Sequence, residues 1–172
     1  MNETIKMVLV LLIVSVISAV SLTLVYQKTS PIIEKNKQHE LNVALKEILS
    51  EATKFEEINL DFSGTDIITA YKGLKNNEVI GYVFLSETPG FQGYIKVLVG
   101  TDTQQIINVK ILEHLETPGL GSRITQQEFL KQFQNSEIIN YDSITGATIS
   151  SSAVITSIKE TQDYILKLRN TK

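Results

Sequence analysis

Three kinds of hydrophobic pattern follow one another along the chain. From Met7 to Tyr26 the residues read MVLVLLIVSVISAVSLTLVY, with no charge and only Ser and Thr as polar interruptions. About twenty helical residues rise ~30 Å, the thickness of a bilayer core, so this stretch predicts a transmembrane helix. A cleaved signal peptide has a shorter apolar region ending in small residues at the cleavage site. Here the run is too long, and Ser18-Ala19-Val20-Ser21 is a poor cleavage site. An uncleaved anchor is expected, with Tyr26 placed at the membrane interface.

The second pattern begins at Ser30-Pro31. Pro suits a first helical position with Ser as its cap, and Leu41, Ala44, Leu45, Ile48 and Leu49 recur at helical spacing between Lys and Glu. This predicts a second helix, a stalk, with His39 on its solvated surface. The third pattern is β: the chain from Phe55 to Leu112 is rich in Val, Ile, Tyr and Phe. Strands are expected at Asp66–Leu74, Glu78–Leu85, Tyr94–Val99 and Ile106–Leu112. Turns at Lys75–Glu78 and Gly100–Thr103 make an antiparallel meander the simplest arrangement.

Beyond the strands the helical period returns. Thr125-Gln126-Gln127-Glu128 reads as a capping box opening a short helix with Phe129, Leu130 and Phe133, to about Gln134. A brief strand is expected at Ser136–Tyr141. A last helix runs from Ser150 or Ser151 to about Arg169. Val154, Ile155, Ile158, Tyr164, Ile165 and Leu168 form its apolar face, and Lys159, Lys167 and Arg169 lie opposite or at its C-terminal end. The fold class is α+β: one N-terminal transmembrane helix, then an antiparallel-sheet domain with flanking helices. The expected boundaries are 1–28 for the cytoplasmic N-terminus and anchor, 29–54 for the stalk, and 55–172 for the domain.

Composition narrows the chemistry. The 172 residues carry a net charge of −3 and no dense Lys/Arg cluster, so no nucleic-acid partner is expected. There is no cysteine, which removes disulfides, iron–sulfur clusters and thiolate metal sites. Only two histidines are present, His39 and His114, far apart in sequence. Neither a metal site nor a catalytic residue is expected. If this chain carries electrons, an organic cofactor must hold them.

One stretch has the makings of a ligand site. Asp142-Ser143-Ile144-Thr145-Gly146-Ala147-Thr148, followed by Ile149 and Ser150 to Ser152, sits just before the last helix. A helix N-terminus offers unpaired N–H groups and a partial positive charge, which favour a phosphate. The other reading is that the serines cap the helix. A second feature is an echo: Glu87-Thr88-Pro89-Gly90 recurs as Glu116-Thr117-Pro118-Gly119. The copies are either two ordinary turns or two loops converging on one cleft. Glycines in such loops let backbone N–H groups approach a ligand. His114 is either a supporting residue of that cleft or a loop histidine.

Both stretches resemble a known family. Asp142-x-x-Thr145-Gly146-Ala147-Thr148 is similar to the acceptor motif of covalently flavinylated FMN-binding domains, and His114-Leu115-Glu116-Thr117-Pro118-Gly119-Leu120-Gly121 to a second segment of the same family. With the N-terminal span, the pair resembles the G subunit of the Rnf electron-transport complex over nearly the whole chain. The resemblance implies FMN held by a phosphodiester on Thr148, installed by a separate flavin transferase. Asp142 would position or activate the hydroxyl. Thr145, Gly146 and Ala147 would shape the turn, and Glu116, Thr117, Gly119 and Leu120 would face the flavin. It implies electron relay within a membrane complex of iron–sulfur and integral membrane flavoprotein subunits, not stand-alone catalysis.

The resemblance also implies an anchor in the inner (plasma) membrane, with the domain on the extracytoplasmic side. Counting Lys and Arg alone points the other way: Lys6 precedes the span, and Lys28, Lys35 and Lys37 follow it. The C subunit of the Na+-translocating NADH:quinone reductase and a free-standing anchored flavin carrier are alternatives. An anchored interaction or sensor domain without cofactor is an alternative of another class.

Overall fold

The computed structural model of the chain describes residues 2–58, 60–102, 105–134 and 140–170, the last four of these by backbone alone. It divides into two compact units, Met1–Leu41 and Asn42–Lys172. Helix α1 (Glu3–Ile48) makes up the first unit and its last residues belong to the second. Ser30-Pro31 does not open a new helix as expected: Pro31 lies inside α1. Proline deletes one backbone hydrogen bond. That loss is local, and residues on both sides keep helical geometry, so Ser30 has no helix start to cap.

Within the first unit the large apolar side chains of the Met7–Tyr26 stretch are exposed. Its hydroxyls return to the helix itself: Ser15 Oγ donates to Leu11 C=O and Thr23 Oγ1 to Ala19 C=O, both at 2.8 Å. A helix apolar all round, with its polar groups satisfied internally, suits hydrocarbon better than water. By length and composition, α1 is long and apolar enough to cross a membrane.

The second unit is built on one antiparallel sheet of β1 (Lys54–Ile58), β2 (Ile67–Lys75), β3 (Glu78–Pro89), β4 (Tyr94–Thr101) and β5 (Ile106–Glu113), in that spatial order. The meander read from the sequence is therefore present. At the β2–β3 turn Asn76 and Asn77 adopt φ of 53° and 66°, as a tight hairpin between twisted strands requires. The strand β3 runs past its expected end at Leu85. Ser86 and Thr88 broke the apolar pattern, yet both are buried, opposite Val97 and Ile95 of β4. The expected turn at Gly100–Thr103 is partly described, with Gln105 N–H donating to Asp102 Oδ1 at 2.8 Å. Most of the strand expected at Ser136–Tyr141 lies outside the described residues, as do the side chains of Lys167, Leu168 and Arg169.

Each face of the sheet is covered. On one face the end of α1 sits on glycines: a Cβ at Gly100 would meet Ile48 Cγ2 at 1.9 Å, and one at Gly73 would meet Leu49 Cδ1 at 2.8 Å. On the other face lies helix α3 (Thr148–Asn170), preceded by α2 (Gln127–Leu130) between two short 3-10 turns. Val154 and Ile158 of α3 join Val97, Val99, Ile124 and Phe133 in the main core. Farther along α3, Tyr164 packs on Phe62 and Phe84 at centroid distances of 5.0 and 5.8 Å. Fully buried side chains such as Val154 and Ile158 contribute about 1.5–3 kcal/mol each, which holds α3 against the sheet.

The capping box is not formed. Gln126 is the cap residue of α2 and makes no side-chain cap bond. Thr125 Oγ1 donates instead to Ser122 C=O at 2.9 Å, closing the preceding 3-10 turn. That turn takes up Thr125 before α2 begins, so the hydroxyl faces back rather than forward.

Candidate functional site

Helix α3 begins at Thr148, earlier than the expected Ser150 or Ser151. Gly146, at φ +81° with open space around it, turns the chain into the helix. Left-handed backbone of this kind strains any residue with a Cβ. Ser151 ties the loop down: its Oγ accepts from Ile144 N–H at 3.0 Å and donates to Ala147 C=O at 2.9 Å. The first helical bond is Ser151 N–H to Ala147 C=O, at 2.9 Å. The amides of Thr148, Ile149 and Ser150 precede it in the N-terminal turn of α3 and have no backbone acceptor among the described residues. Thr148 is exposed there.

The serine-cap reading does not describe this helix start. Ser150 and Ser151 lie inside the first turn and are buried, with their hydroxyls committed elsewhere. Ser150 Oγ donates to Glu116 Oε2 at 2.6 Å. Glu116 is itself only 4% exposed, and its Oε1 accepts from Phe91 N–H at 2.8 Å and Gln92 N–H at 3.2 Å. Glu116 N–H in turn donates to Nδ1 of His114 at 3.2 Å, so that histidine supports the loop.

The two Thr-Pro-Gly copies thus converge, through Glu116. The first forms the β3–β4 hairpin, where Gly90 N–H donates to Gly93 C=O at 2.8 Å. A Cβ on Gly90 would lie 2.4 Å from Glu116 Oε1, and one on Gly121 would lie 2.5 Å from Glu116 Oε2. Glycine is needed at both positions because the backbone passes directly against the carboxylate.

These loops and the start of α3 enclose an open cleft of about 390 Å3. Of the residues singled out in the sequence, Glu116, Thr117, Leu120, Gly146, Ala147 and Thr148 line it. Gly119 is next to its wall, exposed at φ +78°. Asp142 and Thr145 line a neighbouring cleft of about 360 Å3 with Arg123 and Gln132. Gln132 brackets Asp142, accepting from its N–H at 2.8 Å and donating to its C=O at 3.1 Å. Arg123 Nη1 donates to Thr145 C=O at 3.2 Å.

Sequence reasoning missed Phe91, Gly121, Ile149 and Ser150 as cleft residues. Gly121 and Ser150 stood inside or beside the two motifs, and Phe91 follows the first echo copy directly. The shared tetrapeptide was the signal that could have found it. Among the described residues no group of three or more His, Asp or Glu is placed to hold a metal.

FMN fits this cleft. Its volume is within the range of small-molecule sites. Phe91, Leu120 and Ile149, exposed by 66%, 55% and 56%, offer apolar surface for a flat ring. The exposed Thr148 at the helix start offers a hydroxyl beside free amides suited to a phosphate.

Comparison with known proteins gives the same direction. Residues 90–163 match the family model of the FMN-binding domain. Across 95% of both chains, this protein is 33% identical to the G subunit of the ion-translocating oxidoreductase complex of Methanosarcina acetivorans. It is 32% identical to the G subunit of the proton-translocating ferredoxin:NAD(+) oxidoreductase complex of Clostridium ljungdahlii, over 87% of this chain and 84% of that one. It is 28% identical to the G subunit of the Na(+)-translocating ferredoxin:NAD(+) oxidoreductase complex of Acetobacterium woodii, over 89% and 87%. In fold it is similar to NqrC of Shewanella oneidensis, with a TM-score of 0.51 at 17% identity over 72% of this chain and 74% of that one. The chain therefore belongs to the family of G subunits of the ion-translocating, Rnf-type oxidoreductase complexes.

Proposed function

We propose that this protein is the membrane-anchored flavoprotein subunit of an Rnf-type ferredoxin:NAD oxidoreductase and relays electrons through FMN joined to Thr148 by a phosphodiester. The observation that carries the reading is the exposed Thr148 at the free N-terminus of α3, on the rim of an apolar-walled cleft. Bound there, FMN supplies one- and two-electron redox chemistry. The amides of the first turn of α3 and its partial positive charge stabilise the phosphodiester anion. Phe91, Leu120 and Ile149 keep water from the ring, and Gly146 sets the approach of Thr148.

Attachment is the work of a separate flavin transferase using FAD and a divalent metal. In that transfer Thr148 Oγ1 would take the FMN phosphoryl group from FAD, with AMP as the leaving group. The hydroxyl proton passes to a base of the transferase, while Asp142, which lines the neighbouring cleft, positions the loop that carries Thr148.

The helix α1 anchors the domain in the inner (plasma) membrane, with the domain on the extracytoplasmic side. No charged residue lies between Met7 and Tyr26. An ion path ordinarily needs ionisable groups in the membrane, so translocation belongs to other subunits. Those subunits, iron–sulfur and integral membrane flavoproteins, are the electron partners, and the chain is not a stand-alone catalyst.

The test is the intact mass of protein made beside an active flavin transferase, next to Thr148→Ala. A gain of one FMN less one water, absent from the variant, is expected. Unmodified wild type in a host that flavinylates a known acceptor would leave an anchored binding domain without cofactor as the better reading.

A further inference from the structure

We propose that Glu116 sets the reduction potential of the flavin in this cleft by holding an uncompensated negative charge against it. The proposal rests on the reading of Thr148 as the FMN site and adds to it a residue that tunes the cofactor. Glu116 is 4% exposed, yet among the described residues all its carboxylate partners are neutral donors: Phe91 N–H, Gln92 N–H and the Ser150 hydroxyl. Among the described residues no Lys or Arg forms an ion pair with it. No Lys, Arg or His lines the cleft either. Buried carboxylates are ordinarily paired with a cation.

Folding does not require the charge. A glutamine would accept the same two amides with its oxygen and donate to Ser150 Oγ with its nitrogen. It would do so without the cost of desolvating an anion. The nearby N-terminus of α3 offsets about half an elementary charge at most, so net negative charge remains at the cleft wall. Inside a protein that charge acts through a low effective dielectric, where it is felt several ångströms away. An electron arriving on a group in the cleft is repelled, and the potential falls. Glu116 itself neither gains nor loses an electron.

The experiment uses the full chain, co-expressed with a flavin transferase, as wild type, Glu116→Gln and Ser150→Ala. Intact mass comes first: wild type without FMN would end the flavin reading and this proposal together. With FMN attached, each protein is titrated spectroelectrochemically. At the wild-type midpoint the reduced-to-oxidised ratio of Glu116→Gln should rise about tenfold or more, equivalent to about 1.4 kcal/mol. Ser150→Ala keeps the charge but removes a donor that offsets it, so its midpoint should fall. It decides the matter even where Glu116→Gln does not load FMN. An unchanged midpoint in Glu116→Gln would overturn the proposal while leaving Thr148 as the flavin site. An unchanged or raised midpoint in Ser150→Ala would do the same.

Discussion

The Ser150 hydroxyl donates to Glu116 Oε2 at 2.6 Å, joining the first turn of α3 to a loop 34 residues earlier in the chain. Through the other carboxylate oxygen the same side chain holds the β3–β4 hairpin at Phe91 and Gln92. Three segments that converge on the cleft are therefore fastened by one residue.

Truncating that residue should separate its structural role from its charge. Glu116→Ala strands two amides and a buried hydroxyl, at a cost of about 3 kcal/mol or more. Glu116→Gln keeps the partners and should lose less than about 1 kcal/mol. Thermal unfolding of the detergent-solubilised chain, followed by circular dichroism, distinguishes the two. Equal destabilisation would mean the ionised form itself holds the loops.

The cleft glycines should fail for different reasons. Gly146→Ala meets no neighbour but forces a Cβ onto a φ of +81°, costing about 1–2 kcal/mol. Gly121→Ala would bring a Cβ within 2.5 Å of Glu116 Oε2 and 2.9 Å of Ser150 Oγ, so it must break the fastening. The second should be the more destabilising in the same melts, and Gly146→Asn should be milder than Gly146→Val because Asn tolerates this region.

Gln132 should matter to flavin attachment without touching the cleft of Thr148. Its amide holds both backbone groups of Asp142 and so fixes the start of the Asp142–Thr148 loop. Gln132→Ala should slow flavinylation several-fold in a mass-spectrometric time course, with little change in melting temperature. Asp142→Asn leaves those backbone bonds in place and should slow it less. A wild-type rate in Gln132→Ala would show that the transferase itself orders the loop.

A pH effect should come from Glu160 on α3. Burial pushes its pKa above the ordinary 4.5, and the Asp66 and Asp163 carboxylates push the same way, against a 2.8 Å bond from Asp66 N–H. A raised carboxyl pKa means the folded state binds the proton more readily than the unfolded one. Stability then falls as pH rises from 4.5 through the raised value, and ionised Glu160 is a net cost at neutral pH. Glu160→Gln should unfold at higher denaturant than wild type near pH 7, and the gap should close near pH 4. A gap independent of pH would point to packing instead of ionisation.

Much of this molecule was legible residue by residue. The apolar run from Met7 to Tyr26 is continuous, and the strand sequence from Phe55 to Leu112 and the apolar face of α3 are periodic; both kinds of pattern are local information. Thr148, Gly146 and Glu116 could be singled out because their motifs are short and contiguous, and the structure brings all three to one cleft. The errors arose where a local signal had a competitor. Pro31 reads as a helix start but lies within a helix long enough to absorb it. Thr125 reads as a cap but is taken by a 3-10 turn. Ser86 and Thr88 read as the end of a strand but are carried on by pairing with β4.

The amino-acid order by itself determined the long apolar helix, the antiparallel meander and the loop chemistry of the Asp142–Thr148 stretch, because spacing, turn residues and hydroxyls act over a few positions. Only the tertiary structure decided that Glu116 faces inward, that Phe91 and Ser150 meet it, and that Asp142 opens on a different cleft from Thr148. Those relations span tens of residues. They exist because the packing of α3 across the sheet brings a hairpin, a loop and a helix start to one carboxylate, which no pattern along the chain encodes.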